Sequence, residues 1–156
     1  MSKFVVAEQG HVINLIPPFG SASGTQNSEV FSMKDASHVS IIIQVGTQAG
    51  SFTAVLYEGD NFTPSTPVAI AARIYKEETA DGDTLGSGAA LTTSGVNTAT
   101  ANNIFYVIEF DAEQLTEGYP NLQLRLSGLD NTTYVSAIAI LSGFAYQGDQ
   151  TRTQIV

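Results

Sequence analysis

Apolar and polar residues alternate along much of this chain, and the alternation is clearest in residues 38–45. That segment places four apolar side chains on one face, namely Val39, Ile41, Ile43 and Val45. Successive side chains of a strand point to opposite faces, so a period of two is typical of a strand with one buried side. Similar apolar runs bounded by turn residues predict further strands at residues 29–34, 52–58, 68–77 and 89–93.

Three apolar runs between residues 104 and 142 predict the central part of the fold. The runs are residues 104–110, 122–126 and 134–141, separated by a corner at 111–120 and a turn at 127–133. Asp111 is predicted to be the N-cap of one helical turn in the corner. Both faces of residues 104–110 are largely apolar, which indicates a central strand that is covered on both sides.

The N-terminal part of the chain contains strong strand-breaking signals. Residues 3–7 and 11–16 are short apolar runs, and Pro17-Pro18 follows the second of them directly. Because proline has no N–H to donate to a ladder, these two residues are predicted to end the pairing. Residues 19–28 are rich in Gly and Ser and have no period, which predicts an exposed loop.

Taken together, these patterns predict an all-β fold. A helical period of about 3.6 residues persists over no long segment of the chain. Short strands with turn signals between them favour an antiparallel two-sheet β-sandwich, jelly-roll-like, with an extended terminal arm. Residues 1–142 are expected to form the single sandwich domain, and the polar residues 143–156 are expected to form a C-terminal arm.

Composition excludes several classes of function. The 156 residues include no Cys and 2 His, so thiolate chemistry, a His-rich metal site and a cofactor are not expected. The net charge is -9, whereas nucleic-acid binding needs clustered Lys and Arg. Apolar runs stay shorter than the roughly 18–20 residues that span a bilayer, and Glu8 comes too early for a signal peptide. Synthesis in a cytoplasm, without a nucleic-acid or membrane partner, is therefore expected.

The densest acidic cluster lies after the predicted strand at residues 68–77. It consists of Glu77, Glu78, Asp81 and Asp83. Carboxylates at close spacing are ligands for Ca²⁺, but the ligand spacing of an EF-hand loop is absent. We interpret this cluster as a solvated acidic turn, with calcium binding as the open alternative.

Candidate catalytic residues are few. Glu109 and Asp111 are paired acids, which is the chemistry of a glycosidase, but the chain has no Trp to line a sugar cleft. We interpret them as a strand-end acid and a helix cap. His11 and His38 have no nucleophile motif nearby and are interpreted as surface histidines. No catalytic residue is expected.

Six aromatic residues are candidates for a sugar-binding or protein-binding face, although most are expected to be packing residues: Tyr57, Phe62, Tyr75, Tyr119, Tyr134 and Tyr146.

Four parts of the sequence resemble small structural proteins of tailed bacteriophages. They are residues 1–18 (MSKFVVAEQGHVINLIPP), 75–86 (YKEETADGDTLG), 104–115 with 117–120 (IFYVIEFDAEQL and EGYP), and 135–143 (VSAIAILSG). The resemblance implies a virion component, and some such proteins are capsid decoration (cement) proteins. It supplies no site residues.

The resemblance, the absence of a catalytic motif and the arm-like ends together favour a non-enzymatic capsid decoration protein that binds the major capsid protein on the capsid exterior and stabilises the head. A homo-oligomer is expected, with a trimer as the first expectation. From the residues alone, the arm-like ends are expected to supply the interface: Phe4, Val6, Pro17, Pro18, Phe19, Tyr146, Arg152 and Ile155. A carbohydrate-binding module of a phage fibre or tail component is the alternative. A hydrolase that uses Glu109 or Asp111 is the third hypothesis.

Overall fold

The chain folds into one antiparallel sheet that curls on itself. The computed structural model describes residues 5–98, 102–145 and 155. Within this part of the chain the elements are, in order, α1 (Val6–Gln9), β1 (His11–Asn27), β2 (Phe31–Ser32), β3 (His38–Val45), β4 (Thr53–Gly59), β5 (Val68–Ile70), β6 (Ala72–Lys76), β7 (Ala89–Leu91), β8 (Val96–Asn97), β9 (Ile104–Asp111), a 3-10 turn (Ala112–Gln114) and β10 (Asn121–Ser142). The predicted all-β, antiparallel fold class is confirmed. No helix in these ranges is long and apolar enough to cross a membrane.

The long strand β10 holds the sheet together because it exchanges partners halfway along its length. Residues 121–127 pair with β4, and residues 135–142 pair with β3. The strand order is β5-β4-β10-β3-β9-β6-β7, and β1 runs along the other edge of β10 past both halves. The sheet therefore has two halves that share one strand.

The predicted turn at residues 127–133 is wrong, because β10 continues through it. The ladder to β1 is kept there, with Gly24 opposite Leu129 and Ala22 opposite Thr133. The turn chemistry is real but local: Asp130 accepts hydrogen bonds from the hydroxyl and backbone N–H of Thr132, at 2.6 and 2.8 Å. These bonds hold the pKa of the Asp130 carboxyl below its ordinary value. The turn residues thus mark the place where β10 changes partners.

The predicted end of pairing at Pro17-Pro18 and the predicted loop at residues 19–28 are also wrong. Both lie within β1, which extends to Asn27. The register shifts between Ile16 and Phe19, so the two prolines fall in an irregular stretch without a paired position of their own. Named pairings place β1 beside β10 alone, and a strand with one free edge tolerates proline because the missing N–H can face away from the ladder.

The inward faces of both halves pack on one hydrophobic core. The inward residues of the main strands are buried, and they include the four predicted for β3: Val39, Ile41, Ile43 and Val45 of β3, Phe52 before β4 with Ala54 and Leu56, Ile104, Tyr106, Ile108 and Phe110 of β9, and Leu122, Leu124 and Leu126 of β10. Burial of this apolar surface is the main contribution that stabilises the packing of the two halves of the sheet around the core.

Other predicted elements are confirmed with shorter bounds. The run at 29–34 forms a strand only at β2, the run at 68–77 is divided into β5 and β6, and the edge strand is β7. Asp111 precedes the 3-10 turn as its N-cap residue, and its backbone N–H donates to Gln114 Oε1 at 3.2 Å. The proposed arm, residues 143–156, lies largely outside the described residues, although Phe144 and Ile155 pack against the core.

Candidate interaction surface

The side of the sheet that faces away from the core carries a row of mostly apolar side chains. Antiparallel register aligns one residue from each of five strands in a single row: Asn14 of β1, Ile138 of β10, Ile42 of β3, Val107 of β9 and Tyr75 of β6. We call the outward side of these five strands the outer face. The next row adds Val12, Ile140, Ser40, Glu109 and Arg73.

The outer face contains an apolar strip at a place where the solvated side of an antiparallel sheet usually carries polar residues. Val12 is 51% exposed, Ile42 and Ile138 are half-buried, and Val107 between its neighbours is buried. A groove of about 300 Å³ runs across the face and is lined by Ile42, Gln44, Phe105, Ser136 and Ile138. Sheets with one solvated side normally place polar residues there, and contiguous exposed apolar surface marks interaction sites.

The prediction that residues 104–110 are covered on both sides is wrong as far as the described residues are concerned. The inward residues of β9 are buried, but Phe105 and Glu109 on the outer face remain half-exposed. Val107 is shielded by its row neighbours Ile42 and Tyr75, and none of the described residues forms a second layer over it. The strand therefore has the composition of a strand that is covered on both sides, while the described residues cover one side.

A second cleft, of about 500 Å³, opens at one end of this groove. It shares Gln44, Phe105 and Ser136 with the groove, so the two are continuous. Its other walls include Pro18 of β1, the exposed ring of Tyr134, and two carboxylates, Glu77 and Asp81. We call it the acidic cleft.

Local structure explains how the two carboxylates come together. The Glu77 N–H donates to the Phe105 carbonyl at 3.0 Å, which extends the β6–β9 ladder by one residue. A turn closed by Gly82 N–H to the Thr79 carbonyl at 3.0 Å follows, and Asp81 adopts a φ of 60° in it. Asp is one of the few residue types that tolerate this left-handed conformation.

The interpretation of the acidic cluster as a solvated turn is wrong for Glu77, which is 3% exposed. Glu78, Asp81 and Asp83 are exposed, as expected. Within residues 5–98, 102–145 and 155, no group of three or more His, Cys, Asp or Glu residues is arranged to hold a metal ion. The calcium alternative thus has no geometric support among these residues.

A second polar cluster joins β3 to β9. His38 Nδ1 lies 2.7 Å from Asp111 Oδ1, and His38 Nε2 lies 2.7 Å from Glu109 Oε2. Ser40 Oγ donates to the same Glu109 oxygen at 2.7 Å and lies 3.5 Å from His38 Nε2. The cluster is not evident from the sequence, because it depends on the register of two strands that lie about seventy residues apart in the chain. This register places His38 opposite Asp111 and Ser40 opposite Glu109.

The chemistry of this cluster is that of an ion-pair network. Partial burial alone lowers the pKa of His38, but the hydrogen bonds to Asp111 and Glu109 and their charges raise it above its ordinary value of 6.5. A protonated imidazole donates from both nitrogens and has no lone pair with which to act as a base. The Ser40 hydroxyl donates to Glu109 rather than to His38, so the triad-like residue set does not have the hydrogen-bond order of an activated nucleophile.

His38 is expected to titrate above pH 6.5, and its contribution to stability is expected to depend on pH accordingly. Because the folded-state pKa is raised, the contribution is full below about pH 6.5. It is lost as pH rises through the folded-state value. Proton NMR of the ring gives the pKa, and thermal unfolding of the wild type and His38→Gln gives the stability difference. Asp111→Asn is the control variant that should lower the His38 pKa. A wild-type pKa at or below 6.5 would contradict the network.

The predicted interface residues do not form one surface. Pro17 and Pro18 are exposed on β1, and Pro18 lines the acidic cleft. Val6 is 38% exposed on α1. Ile155 is half-buried and forms a bridge with Phe31, beside the first half of β10. Phe4, Tyr146, Arg152 and the side chain of Phe19 lie outside the described part of the structure.

The six candidate aromatic residues are also dispersed. Tyr57, Phe62, Tyr75 and Tyr119 are half-buried, Tyr134 is 52% exposed, and Tyr146 lies outside the described residues. Binding of sugar rings uses exposed aromatic faces that stack on the ligand. Among the five that the structure describes, Tyr134 is the one that offers such a face, so no exposed trio supports the carbohydrate-binding alternative.

No protein-family model and no curated protein sequence matches this chain. In structure it is similar to the SPBc2 prophage-derived protein YomS, at 14% identity and a TM-score of 0.47, over 84% of this chain and 92% of that one. It is also similar to a chain from the structure of infectious bursal disease virus Gt strain, at 10% identity and a TM-score of 0.21, over 85% of this chain and 39% of that one.

Proposed function

We propose that this protein is a non-enzymatic structural protein of a tailed-phage virion, and that it decorates the capsid by binding the major capsid protein through its outer face. The observation that carries the proposal is the apolar strip on the outward side of β9, β3 and β10, formed by Val107, Ile42 and Ile138, which no described residue covers as a second layer. A face of this kind supports binding to a protein rather than to a nucleic acid or a small substrate. The sequence resemblance to phage structural proteins supports the virion as the setting.

The net charge of the protein supports a position on the outside of the capsid. The net charge of -9 repels the phosphates of packaged DNA and suits contact with neutral or basic protein surfaces. Charged residues make up 13% of the chain, so most of its polar surface is uncharged and costs less to desolvate than a charged surface would. Both properties favour assembly on a large protein surface.

The dimensions of the outer face also indicate how binding is achieved. Five strands about 4.8 Å apart, paired over about five to eight residues, give a face of roughly 300–500 Å². A stable interface of standard size covers about 800 Å² per partner. One copy that uses this face alone is therefore a weak binder, and an oligomer that engages several capsid subunits would gain affinity through avidity. We extend the proposal to a homo-oligomer on the particle, with three copies as the first expectation.

Binding to phage heads is the direct test. Purified protein is expected to co-sediment with heads from a phage that carries this gene, and virion mass spectrometry is expected to detect the protein. Heads that carry it should withstand heating or low salt better than heads that lack it, because a bridging protein resists separation of capsid subunits. Failure to co-sediment, together with absence from virions, would refute the proposal.

A further inference from the structure

We propose that the acidic cleft is a receptor for the guanidinium group of an arginine side chain on the protein partner. This inference deepens the proposed function and rests on it, because it assigns the chemistry of one contact within the same footprint. The acidic cleft is built from residues of β1, β3, β10 and the segment that follows β6. No part of the sequence resemblance assigns a role to it.

Glu77 is the residue of the acidic cleft whose carboxylate lacks a positive partner among the described residues. It is 3% exposed and lines the acidic cleft. Within the described part of the chain, no side-chain hydrogen bond or ion pair reaches its carboxylate, and its backbone N–H donates to the Phe105 carbonyl. The carboxylate oxygens are not among the side-chain atoms that are wholly buried without a partner, so they remain accessible through the acidic cleft. A carboxylate on a residue that is almost fully buried has lost most of its water, and proteins normally pair such groups with a positive one. An open anion at the wall of a cleft is therefore explained by a positive group that enters from outside.

The walls of the acidic cleft favour guanidinium over other cations. A metal ion would need several ligands, and the described residues contain no group of three that could hold one. The acidic cleft instead combines a second carboxylate, Asp81, with uncharged acceptors on Gln44 and Ser136 and the exposed ring of Tyr134. Guanidinium is planar, has five donors, and stacks on aromatic rings, so it matches carboxylates and an aromatic face together better than an ammonium group does.

The position of the acidic cleft points to a side chain of a protein rather than a free small molecule. It shares Gln44, Phe105 and Ser136 with the apolar groove of the outer face. A partner that covers the groove with apolar residues therefore brings its neighbouring side chains to the mouth of the acidic cleft. Arginine is enriched at the centres of protein interfaces, where its long apolar stem also contributes contact area.

Binding of a model compound tests the site without the partner. ¹⁵N-labelled protein is titrated with N-acetyl-arginine amide and, in parallel, with the uncharged analogue N-acetyl-citrulline amide. Arginine amide at millimolar concentration is expected to shift the backbone amide signals of Gln44, Phe105 and Tyr134, and citrulline amide is expected to shift them at least about tenfold less. Equal shifts with both compounds, or none with either, would overturn the inference.

Substitutions distinguish a specific role of the Glu77 carboxylate from a general effect of negative charge near the acidic cleft. Glu77→Gln should weaken binding of arginine amide at least about tenfold, and its melting temperature should equal or exceed that of the wild type because an unpaired buried charge is removed. Glu78→Gln is the matched control, since it removes the same charge from the exposed neighbour, and it should bind like the wild type. Asp81→Asn, which tolerates the same backbone conformation, should weaken binding and serves if Glu77→Gln is poorly folded. Unchanged binding by a folded Glu77→Gln would overturn the inference.

Head binding by the same variants distinguishes the two proposals. If the wild type binds heads and Glu77→Gln binds at least about tenfold more weakly, both proposals are supported. If the wild type and Glu77→Gln bind heads equally, the arginine receptor is refuted and the decoration function stands. If the wild type does not bind heads although arginine amide occupies the acidic cleft, the decoration function is refuted and the guanidinium site remains.

Discussion

Replacing Ile42 and Ile138 together by threonine is expected to weaken binding to phage heads by about 100-fold while the protein stays folded. The two residues face each other across β3 and β10 and line the groove of the outer face. Each change removes apolar contact area and places a hydroxyl in a contact that water cannot reach, at about 1.4 kcal/mol per site or tenfold in affinity. Threonine is also β-branched, so the preference of both positions for a strand is kept.

Val68→Thr is the matched control for this double variant. Val68 is an apolar residue on β5 that is 46% exposed and lies outside the outer face. Its replacement repeats the chemistry at another exposed strand position and should leave head binding unchanged. Affinity is measured by co-sedimentation over a range of protein concentrations, and circular dichroism checks the fold. A double variant with wild-type affinity and a wild-type melting temperature would show that the partner does not contact this face.

The strands and their buried faces were predictable because the alternation of apolar residues is a local property. β3 has the predicted bounds, residues 38–45, and its four predicted inward residues are fully buried. β9 and the core leucines of β10 follow the same rule. No knowledge of strand partners is needed to identify such a face, since only the period within one strand is used.

The wrong predictions concern places where local signals compete with long-range pairing. Pro17-Pro18 and the turn residues at 127–133 are strong breakers by themselves, but both lie in the long ladder between β1 and β10. Pairing on either side carries the strand through them, with shifts of register in place of a break. A single sequence does not show which strand will pair with which, and so it does not show where a breaker will be overridden.

The candidate site could not be predicted from the sequence for the same reason. The joining of His38 to Glu109 and Asp111 requires the β3–β9 register, and the burial of Glu77 requires the ladder to Phe105 and the bridge to Leu85. The sequence did show that both faces of β9 are apolar. What it did not show is that residues 5–98 and 102–145 place no second layer on one of those faces, and this difference is the main support for a binding surface.

Leu124→Ala is expected to lower the free energy of unfolding by about 2–5 kcal/mol, which is the usual loss for a buried leucine. Leu124 lies in the first half of β10 opposite Leu56 of β4, and both side chains are fully buried in the core. Native domains have a free energy of unfolding of roughly 5–15 kcal/mol, so the variant should remain folded at room temperature with only a small remaining free energy of unfolding. For a chain of this length the melting temperature should fall by roughly 5–15 °C.

Urea and thermal unfolding of Leu124→Ala, compared with Val68→Ala as an exposed control, measure this loss. The control should stay within about 0.5 kcal/mol of the wild type. Below its melting temperature Leu124→Ala should still bind heads like the wild type, because the outer face is formed by the second half of β10. The double variant of Ile42 and Ile138 should show the opposite behaviour, with stability kept and affinity lost. If Leu124→Ala instead loses affinity while it remains folded, the two halves of the sheet are coupled, and the outer face does not act as an independent binding surface.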